Sequence, residues 1–449
     1  IQIQLFFFYK KQGDCEKAGE YLRKAIETLM ISGVYDEDGI PVVSRSLAIS
    51  DFDLVRLLSL KAQHYADGFE DTQNLATLEK SLSMYAKIDT LINKQLFSLQ
   101  FERSQLNFLT ITQGYYGEAI EVALRLYQQI EDQKYLNLAY FFSSKTKAII
   151  LQNRLNEGNA FQSIASPEMI RKEKELKQRM FSIHEQLSNS ETNRDSLLRK
   201  YVEAQRELDV FLLRVEQEEP EYYQQKYAFI TPPGIDAIQA ALPGDQAVVE
   251  FFYGTDTIYS FWISRDHFVQ VPVNYDEDLE QAIRSFVKQC HDPTLSMSEE
   301  LGQLLYQKLI SGGLDLIKKD ITRLCIIPDG ILHTIPFETL NITDEANKWL
   351  IEKFSISYSY SIGLLFRGKQ RSFDIPYVGF GTQYTPDLSQ KLKTRRLLFG
   401  SENLSQLVLA QEEIKQAATI FSGMSYLNQN ATLRRCANHS PVITRSCRF

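Results

Sequence analysis

Cysteine and histidine side chains are the first candidates for chemistry in this sequence, because a thiolate and a proton-accepting imidazole form the working pair of a cysteine hydrolase. Cys325 lies in an apolar run, Leu324-Cys325-Ile326-Ile327, which predicts a short buried strand. A thiol in such a strand is expected to behave as a small hydrophobic group whose thiolate form is disfavoured. His333 follows between Leu332 and Ile335, and we expect no role for it as a catalytic base.

Two further groups of residues could carry chemistry in principle. Cys436, His439 and Cys447 lie close together in sequence, where they could form a dyad or part of a zinc site. A zinc site needs about four ligands, and a dyad needs strands of its own to hold it. Asp329 and Glu338 could act as paired acids, but carboxylates are common at turns after strands. We therefore assign no catalytic, cofactor-binding or metal-binding residue in this chain.

Composition and charge exclude several classes of protein. Lys and Arg number 49 against 57 Asp and Glu, and the formal net charge of -8 argues against a nucleic-acid-binding protein. No run approaches the roughly 18 consecutive apolar residues of a membrane-spanning helix. The cysteines are odd in number and scattered, which fits a reducing compartment, and we expect a cytoplasmic protein without a cofactor. They are Cys15, Cys290, Cys325, Cys436 and Cys447.

Signatures of three common enzyme classes do not occur in the sequence. There is no G-x-x-x-x-G-K-[ST] loop, no H-E-x-x-H and no G-x-S-x-G. P-loop nucleotide hydrolysis, zinc proteolysis and α/β-hydrolase chemistry therefore have no support. Gly379-Phe380-Gly381 lacks the third glycine and the helix of a dinucleotide site, and we interpret it as a tight turn at a strand end.

Residues 235–449 predict an α/β domain. After the turn Thr231-Pro232-Pro233-Gly234, three strands are joined by hairpin turns at Gly254-Thr255-Asp256 and Ser264-Arg265-Asp266. Amphipathic helices follow around 277–288 and 299–310. The later alternation of helices with short apolar strands indicates a mostly parallel sheet covered by helices.

Residues 1–155 predict a helical array, because one pattern recurs along them. The two positions of each aligned pair are the same number of residues apart in the sequence. This separation is close to three units of about 34 residues, which is the period of tetratricopeptide repeats. We expect a curved solenoid whose concave face receives a protein or peptide partner, with a generic helical bundle as the alternative. The aligned positions are Gly13, Ala18, Leu22 and Ala25 with Gly114, Ala119, Ala123 and Leu126, and Ser81, Tyr85 and Ile88 repeat part of the spacing between them.

Residues 156–230 predict a long helical hairpin that serves as a spacer. Ser166-Pro167-Glu168 is a helix start, with a capping hydroxyl and a proline where no amide donor is needed. Apolar residues then step by four and three in two stretches, which predicts two antiparallel helices sharing a coiled-coil seam. The seam residues are Leu176, Met180, Ile183, Leu187, Leu197, Tyr201, Ala204 and Leu208.

The segment "CIIPDGILHTIPFETL", followed by "WLIEKFSISYSYSIGLL", "LVLAQEEIKQAATIF" and "LNQNATL", resembles the CHAT domain. This family is a caspase- and separase-like cysteine peptidase domain that commonly follows tetratricopeptide repeats. The likeness covers roughly residues 235–432, and "FFSSKTKAIILQ" resembles the family's connecting helix, with Ser144 where an acidic residue is usual. The expected fold class is α plus α/β, with a helical array and hairpin before a caspase-like domain.

The resemblance implies a catalytic histidine and cysteine that this sequence lacks. In the family, a strand-His-Gly element follows the Ala-Thr pair, and a Ser-Ala-Cys-like strand end comes later. Few residues follow Ala431-Thr432, and the tail 433–449 is rich in Arg without Lys or acid. We expect a C-terminally incomplete domain, through a shifted reading frame or divergence, and a true N-terminus upstream of Ile1.

Three hypotheses about function remain open from the sequence. The first is a recruiting array joined to a peptidase-derived domain that cleaves nothing in this form. The second is a non-catalytic scaffold in which the domain serves only as a docking surface. The third is a cysteine protease that is active when full length.

Overall fold

The computed structural model divides the chain into two compact units, Ile1–Arg367 and Gly368–Phe449. Within the described ranges, no helix is long and apolar enough to cross a membrane. The structure describes residues 1–36, 40–42, 47–48, 50–98, 102–147, 149, 151, 166–189, 194–220, 222–223, 232–292, 294–317, 320–342, 349–366, 377–381 and 410–431.

Helices form the first part of the first unit, and side-chain caps fix where three of them begin. Asp14 accepts a hydrogen bond from the backbone N of Lys17 at 3.1 Å, and Ser50 and Asp132 cap their helices in the same way. A short antiparallel strand pair, β1 (Met30–Ser32) and β2 (Leu47–Ala48), lies between α2 and α3. The helices are α1 (Gln2–Lys11), α2 (Cys15–Leu29), α3 (Asp51–Thr72), α4 (Leu75–Ser98), α5 (Glu102–Ile130) and α6 (Gln133–Lys145).

Apart from the two glycines, the recurring positions of the sequence lie in the core of this helical array. The predicted packing faces are therefore correct, and the assignment to tetratricopeptide repeats stays a prediction. The buried positions are Ala18, Leu22 and Ala25 on α2, Ser81, Tyr85 and Ile88 on α4, and Ala119, Ala123 and Leu126 on α5.

The two aligned glycines have different structural roles. Gly13 lies between α1 and α2 with φ +77°, a left-handed conformation that ends helices and favours glycine. Gly114 lies inside the continuous helix α5, where a Cβ would meet nothing within 4 Å. The sequence pattern alone does not separate a helix-ending glycine from a helix-interior one.

The second helical segment is a hairpin of α7 (Pro167–Asn189) and α8 (Arg194–Glu218). The helix begins at the predicted proline. Arg179 Nη1 lies 2.7 Å from Glu207 Oε2, and the N of Ser166 donates to Glu219 at 3.2 Å, so the two helices run antiparallel. The expected seam forms their shared core, which contains Leu176, Met180, Ile183, Ala204 and Leu208. The spacer role of the hairpin stays a prediction.

A five-stranded sheet follows, in the order β5-β4-β3-β6-β7. The predicted hairpins are present, since β3 pairs with β4 and β4 with β5 in antiparallel fashion, whereas β3–β6 and β6–β7 are parallel. The expected mostly parallel sheet is therefore mixed instead, because the tight turns fold the first three strands back on one another. The strands are β3 (Gln246–Tyr253), β4 (Thr257–Ser264), β5 (Phe268–Asn274), β6 (Arg323–Ile327) and β7 (Ser355–Tyr358).

Alternating side chains of β3 pack into two separate layers. Val249 and Phe251 contribute to a core with α10 (Glu277–His291) and α11 (Glu299–Tyr306) on one face of the sheet. Val248 and Phe252 join the core of the helical array on the other face. The array thus covers one side of the sheet. The surrounding helices are α9 (Ile235–Ala241), α10 (Glu277–His291), α11 (Glu299–Tyr306), α12 (Gly312–Leu316), α13 (Leu350–Lys353) and α14 (Ile362–Leu365).

The described part of the second unit is small. Strands β8 (Val378–Gly381) and β9 (Met424–Leu427) are parallel, and α15 (Ala410–Ile420) packs against them. A Cβ at Gly379 or Gly381 would come within 2.5 or 2.6 Å of Ile414. Gly379-Phe380-Gly381 forms the end of β8, as expected, and its glycines allow the helix to approach the strand. The turn expected after Gly381 lies outside the described residues.

Candidate functional site

The carboxyl ends of β3 and β6 meet at one edge of the sheet, because the two strands run parallel. In open α/β sheets, this edge is where ligands and reactive groups gather. Oδ2 of Asp329, which follows β6, accepts a hydrogen bond at 2.9 Å from the backbone N of Tyr253, the last residue of β3. Gly330 has φ +53°, and a Cβ there would lie 2.6 Å from Cγ of Tyr253. The Pro-Asp-Gly turn therefore ties two strand ends together.

Lys147 brings a positive charge to this edge from just beyond the end of α6. Its Nζ lies 2.6 Å from Oδ2 of Asp329 and 5.3 Å from the centroid of the Phe252 ring. The Lys147 side chain is 4% exposed and that of Asp329 16%. Separating the two side chains would leave each charge buried and unpaired, which is costly. The ion pair therefore holds the end of α6 against the turn after β6.

Glu250 lies in the middle of β3, on the face toward α6, and is fully buried. Its Oε1 accepts hydrogen bonds from the hydroxyls of Ser143 at 3.1 Å and Ser144 at 2.8 Å. Burial raises the pKa of Glu250 from 4.5 to about 7, and the Lys147 charge and the two hydroxyls oppose this rise, whereas Asp329 adds to it. We name Ser143, Ser144, Lys147, Glu250 and Asp329 the buried polar cluster.

A second buried charge lies on the array side of the same helix end. Nζ of Lys145 lies 3.6 Å from Oδ2 of Asp89 and 3.4 Å from Oδ1 of Asn93, both on α4. The hydroxyl of Tyr116 donates to Oδ1 of Asp89 at 2.9 Å. Burial lowers the pKa of Lys145, and Asp89 opposes that shift. Two neighbouring lysines therefore join the end of α6 to the array on one side and to the sheet edge on the other.

The two acids considered in the sequence have separate partners. Asp329 binds Lys147 and Tyr253, as described above. Glu338 accepts a hydrogen bond from the hydroxyl of Tyr358, whose oxygen also accepts one from the backbone N of Phe337 at 3.0 Å. The arrangement gives no support to paired acid chemistry, because each carboxylate serves to hold its own turn.

Cys325 and His333 do not form a catalytic pair. Cys325 is fully buried in β6, and burial raises the pKa of its thiol. Burial lowers the pKa of the His333 imidazole, although the negative charge of Asp329 opposes that shift. No hydrogen bond joins the two residues in the part of the chain that the structure describes. Cys436, His439 and Cys447, named above as a possible dyad or zinc site, lie outside the described residues.

Potential metal ligands are not grouped together in the described ranges. No group of three His, Cys, Asp or Glu residues there could hold a metal ion. The buried polar cluster contains hydroxyls, an amine and two carboxylates, and its contacts serve to hold backbone elements together. It can position the strand edge, and it offers no thiolate.

Lys147 and Glu250 are the residues that the sequence analysis missed. Glu250 interrupts the apolar run "AVVEFFY", and a charge inside a fully buried strand requires partners, which is a signal that could have been followed. Ser144 was noted only as a departure from an acidic residue. Its hydroxyl donates to both oxygens of Glu250, at 2.8 and 2.9 Å, whereas an acid at this position would face a second carboxylate.

Residues 299–442 match the CHAT domain family, which is about a third of the chain. The matched region begins at α11 and includes β6, the Pro-Asp-Gly turn and β7 to β9. No curated protein matches the chain. A CHAT domain, of a caspase-like peptidase-related family, is therefore present, and the Lys147–Asp329 pair joins it to the helices that precede it.

Proposed function

We propose that this chain is a partner-recruiting helical-repeat protein whose CHAT domain descends from caspase-like cysteine endopeptidases. The observation that carries the proposal is a CHAT domain placed behind a helical array that covers one face of its sheet. Arrays of helix pairs bind peptides or partner helices along their concave face. The recurrence of buried positions between α2 and α5 supports an array of this class, with tetratricopeptide repeats as the specific assignment.

We also propose that the 449-residue chain has no peptidase activity of its own. A cysteine peptidase needs a thiolate, an imidazole and donors that stabilise the oxyanion. Cys325 is buried with a raised thiol pKa, and the sequence after Ala431 has neither a His-Gly nor a Ser-Ala-Cys element. In this form the domain acts as a docking surface beside the array.

The alternative is an active cysteine protease made from a longer product. The observation behind it is the match of residues 299–442 to the CHAT family, which resembles cysteine peptidases. The two functions differ in whether the gene product carries a strand-His-Gly element and a Ser-Ala-Cys-like strand end beyond Thr432.

Covalent labelling of the active-site thiol separates the two functions. The 449-residue protein and the product of the locus extended past the codon for Thr432 are incubated with a biotinylated peptidyl acyloxymethyl ketone mixture. We expect no labelled cysteine in the 449-residue chain. Labelling of Cys436 or Cys447 in that chain, lost in Cys436→Ala or Cys447→Ala, would contradict the proposal, and labelling of a downstream cysteine in the extended product alone supports the alternative.

The recruiting role is tested separately by crosslinking. A lysine-reactive crosslinker is added to a native extract that contains the full chain, and crosslinked peptides are identified by mass spectrometry. We expect crosslinks from lysines of α2 to α5 to one other protein. Crosslinks confined to the chain itself would argue against a recruiting array.

A further inference from the structure

A cleft of about 600 Å³ lies between α5 and the β3–β4 hairpin, beside the buried polar cluster. One wall is the face of α5 from Thr110 to Glu121, and the other runs along the hairpin from Phe252 to Tyr259. The volume falls in the range of about 300–1,000 Å³ that is usual for ligand sites. Neither the CHAT signature nor the proposed docking role accounts for this cleft.

Two glycines of α5, Gly114 and Gly117, line the cleft. Gly114 lies inside the helix, where glycine is disfavoured relative to alanine, and a Cβ there would meet nothing within 4 Å. Packing therefore does not require a glycine at this position. A Cβ at Gly117 would lie 3.4 Å from the Phe252 ring, so this residue sets how closely the helix approaches the hairpin. The space above Gly114 can admit a long side chain.

Glu118 provides a fixed negative charge on the α5 wall. Its Oε2 accepts hydrogen bonds from the hydroxyls of Ser59 and Tyr85, both at 2.9 Å, and its Oε1 accepts one from Nε2 of Gln63 at 2.7 Å. All three donors are neutral. These three hydrogen bonds hold the Glu118 carboxylate in one orientation, and within the described ranges no Lys or Arg forms an ion pair with it.

Two further acids, Glu121 and Asp256, add negative charge to the lining of the cleft. Among the residues that the structure describes, Glu121 pairs with Arg125 of its own helix at 2.6 Å, an exposed contact that contributes little. Asp256, at the hairpin tip, makes no side-chain hydrogen bond or ion pair to any residue that the structure describes. Tyr259 lies near both acids: burial raises its pKa to about 12, the negative charges of Glu121 and Asp256 add to the rise, and the Arg125 charge and a hydrogen bond with Thr257 oppose it. No basic side chain lines the cleft among the described residues.

We propose that this cleft binds a peptide segment of a partner protein through an arginine or lysine side chain. The cation pairs with Glu118 and Asp256 and lies against the ring of Tyr259, an arrangement that guanidinium groups favour. The lining repels anions, so phosphorylated or acidic segments are excluded. This inference rests on the proposed function in that it names the chemistry of the recruited partner, and it does not depend on peptidase activity.

The test uses fluorescein-labelled peptide libraries and the full 449-residue protein. Each library has eight positions, of which a central one is fixed as Arg, Lys, citrulline or Glu, and binding is followed by fluorescence anisotropy at about 0.05 and 0.3 M salt. Citrulline keeps the shape of arginine without its charge. We expect the Arg and Lys libraries to bind about tenfold or more tightly than the citrulline library, with affinity falling at higher salt.

Cleft variants and matched controls locate the binding site. Glu118→Gln and Asp256→Asn are each expected to weaken Arg-peptide binding about fivefold or more, as expected for the loss of a charge-assisted contact. Gly114→Leu fills the cleft and should abolish binding, whereas Gly114→Ala keeps it open and should bind like wild type. Glu203→Gln makes the same charge change on α8, away from the cleft, and should leave binding unaltered.

Three results would overturn the inference. The first is that the Arg and citrulline libraries bind equally tightly. The second is that Gly114→Leu and both acid variants all bind the Arg peptide as tightly as wild type. The third is that spermidine displaces the labelled peptide as effectively as unlabelled Arg peptide does. The last result would assign the cleft to a small polyamine. These outcomes leave the crosslinking test of the array unaffected, so failure of the cleft and failure of the proposed function are distinguishable.

Discussion

Nζ of Lys147 and Oδ2 of Asp329 lie 2.6 Å apart, and this contact joins the end of the array to the turn after β6. Asp329 also accepts the hydrogen bond from Tyr253 N, so one carboxylate connects three chain segments. The same lysine counteracts the rise in the pKa of Glu250. Movement of α6 relative to the sheet edge would therefore separate buried charges, and the two parts of the first unit are expected to unfold together.

Lys147→Met should destabilise the protein by about 3–5 kcal/mol, because it leaves Asp329 without its partner in a largely buried position. The free energy of unfolding is measured by urea titration of the full chain. Lys134→Met, which removes a lysine from an exposed pair with Asp132, is the matched control and should have a much smaller effect. A change as small as that of the control would show that the buried pair contributes no stability.

Glu250 should make stability depend on pH in a defined window. Its folded pKa of about 7 is raised above the ordinary 4.5, so the folded state holds the proton more tightly than the unfolded state. The stabilising contribution of its protonated form is complete below pH 4.5 and is lost as the pH rises through 7. The loss is about 1.4 kcal/mol for each pKa unit between the folded and unfolded values.

The measurement is the difference in the free energy of unfolding between wild type and Glu250→Gln from pH 5 to 8. Because glutamine does not ionise, wild type should lose stability relative to the variant as the pH rises. Glu203→Gln, an exposed carboxylate on α8, should give a curve parallel to wild type. A parallel curve for Glu250→Gln would mean that the buried carboxylate does not titrate in this window.

The sequence was informative where local patterns decide the structure. The three hairpin strands, the helix start at Pro167 and the seam around Met180 and Ala204 were all predicted, because alternation, caps and heptad steps depend on neighbours in sequence. The strand end at Gly381 was also expected, but the reason for its glycines is the distant Ile414, which a local pattern does not reveal.

The contacts within the buried polar cluster could not be predicted by the same means, although a charge in the apolar run of β3 signals that Glu250 needs partners. Glu250 and Lys147 are far apart in sequence, and neither forms a motif with its own neighbours. Their relationship arises only when α6 packs on the face of β3 that carries Val248 and Phe252. Pairing of this kind depends on tertiary packing, which a single sequence does not reveal.

Gly330→Ala should destabilise the turn at the strand edge. The backbone has φ +53°, which side chains other than glycine adopt at a cost of about 1–2 kcal/mol. A Cβ would also lie 2.6 Å from Cγ of Tyr253, so the ring must move and the hydrogen bond of Tyr253 N to Asp329 would weaken. Thermal unfolding of the full chain measures the effect. Gly234→Ala, where the new Cβ meets open space, is the control, and an equal melting temperature for the two variants would contradict the turn geometry.

Gly13→Ala and Gly114→Ala should change stability in opposite directions, although the sequence aligns these glycines. At Gly13, φ is +77°, so alanine is strained and should destabilise by about 1–2 kcal/mol. At Gly114, the helix continues and a Cβ meets nothing within 4 Å, so alanine should stabilise by about 1 kcal/mol. Urea titration of both variants measures the two changes. Destabilisation at both positions would mean that α5 bends or breaks at Gly114, and the open face of the cleft would then need a different explanation.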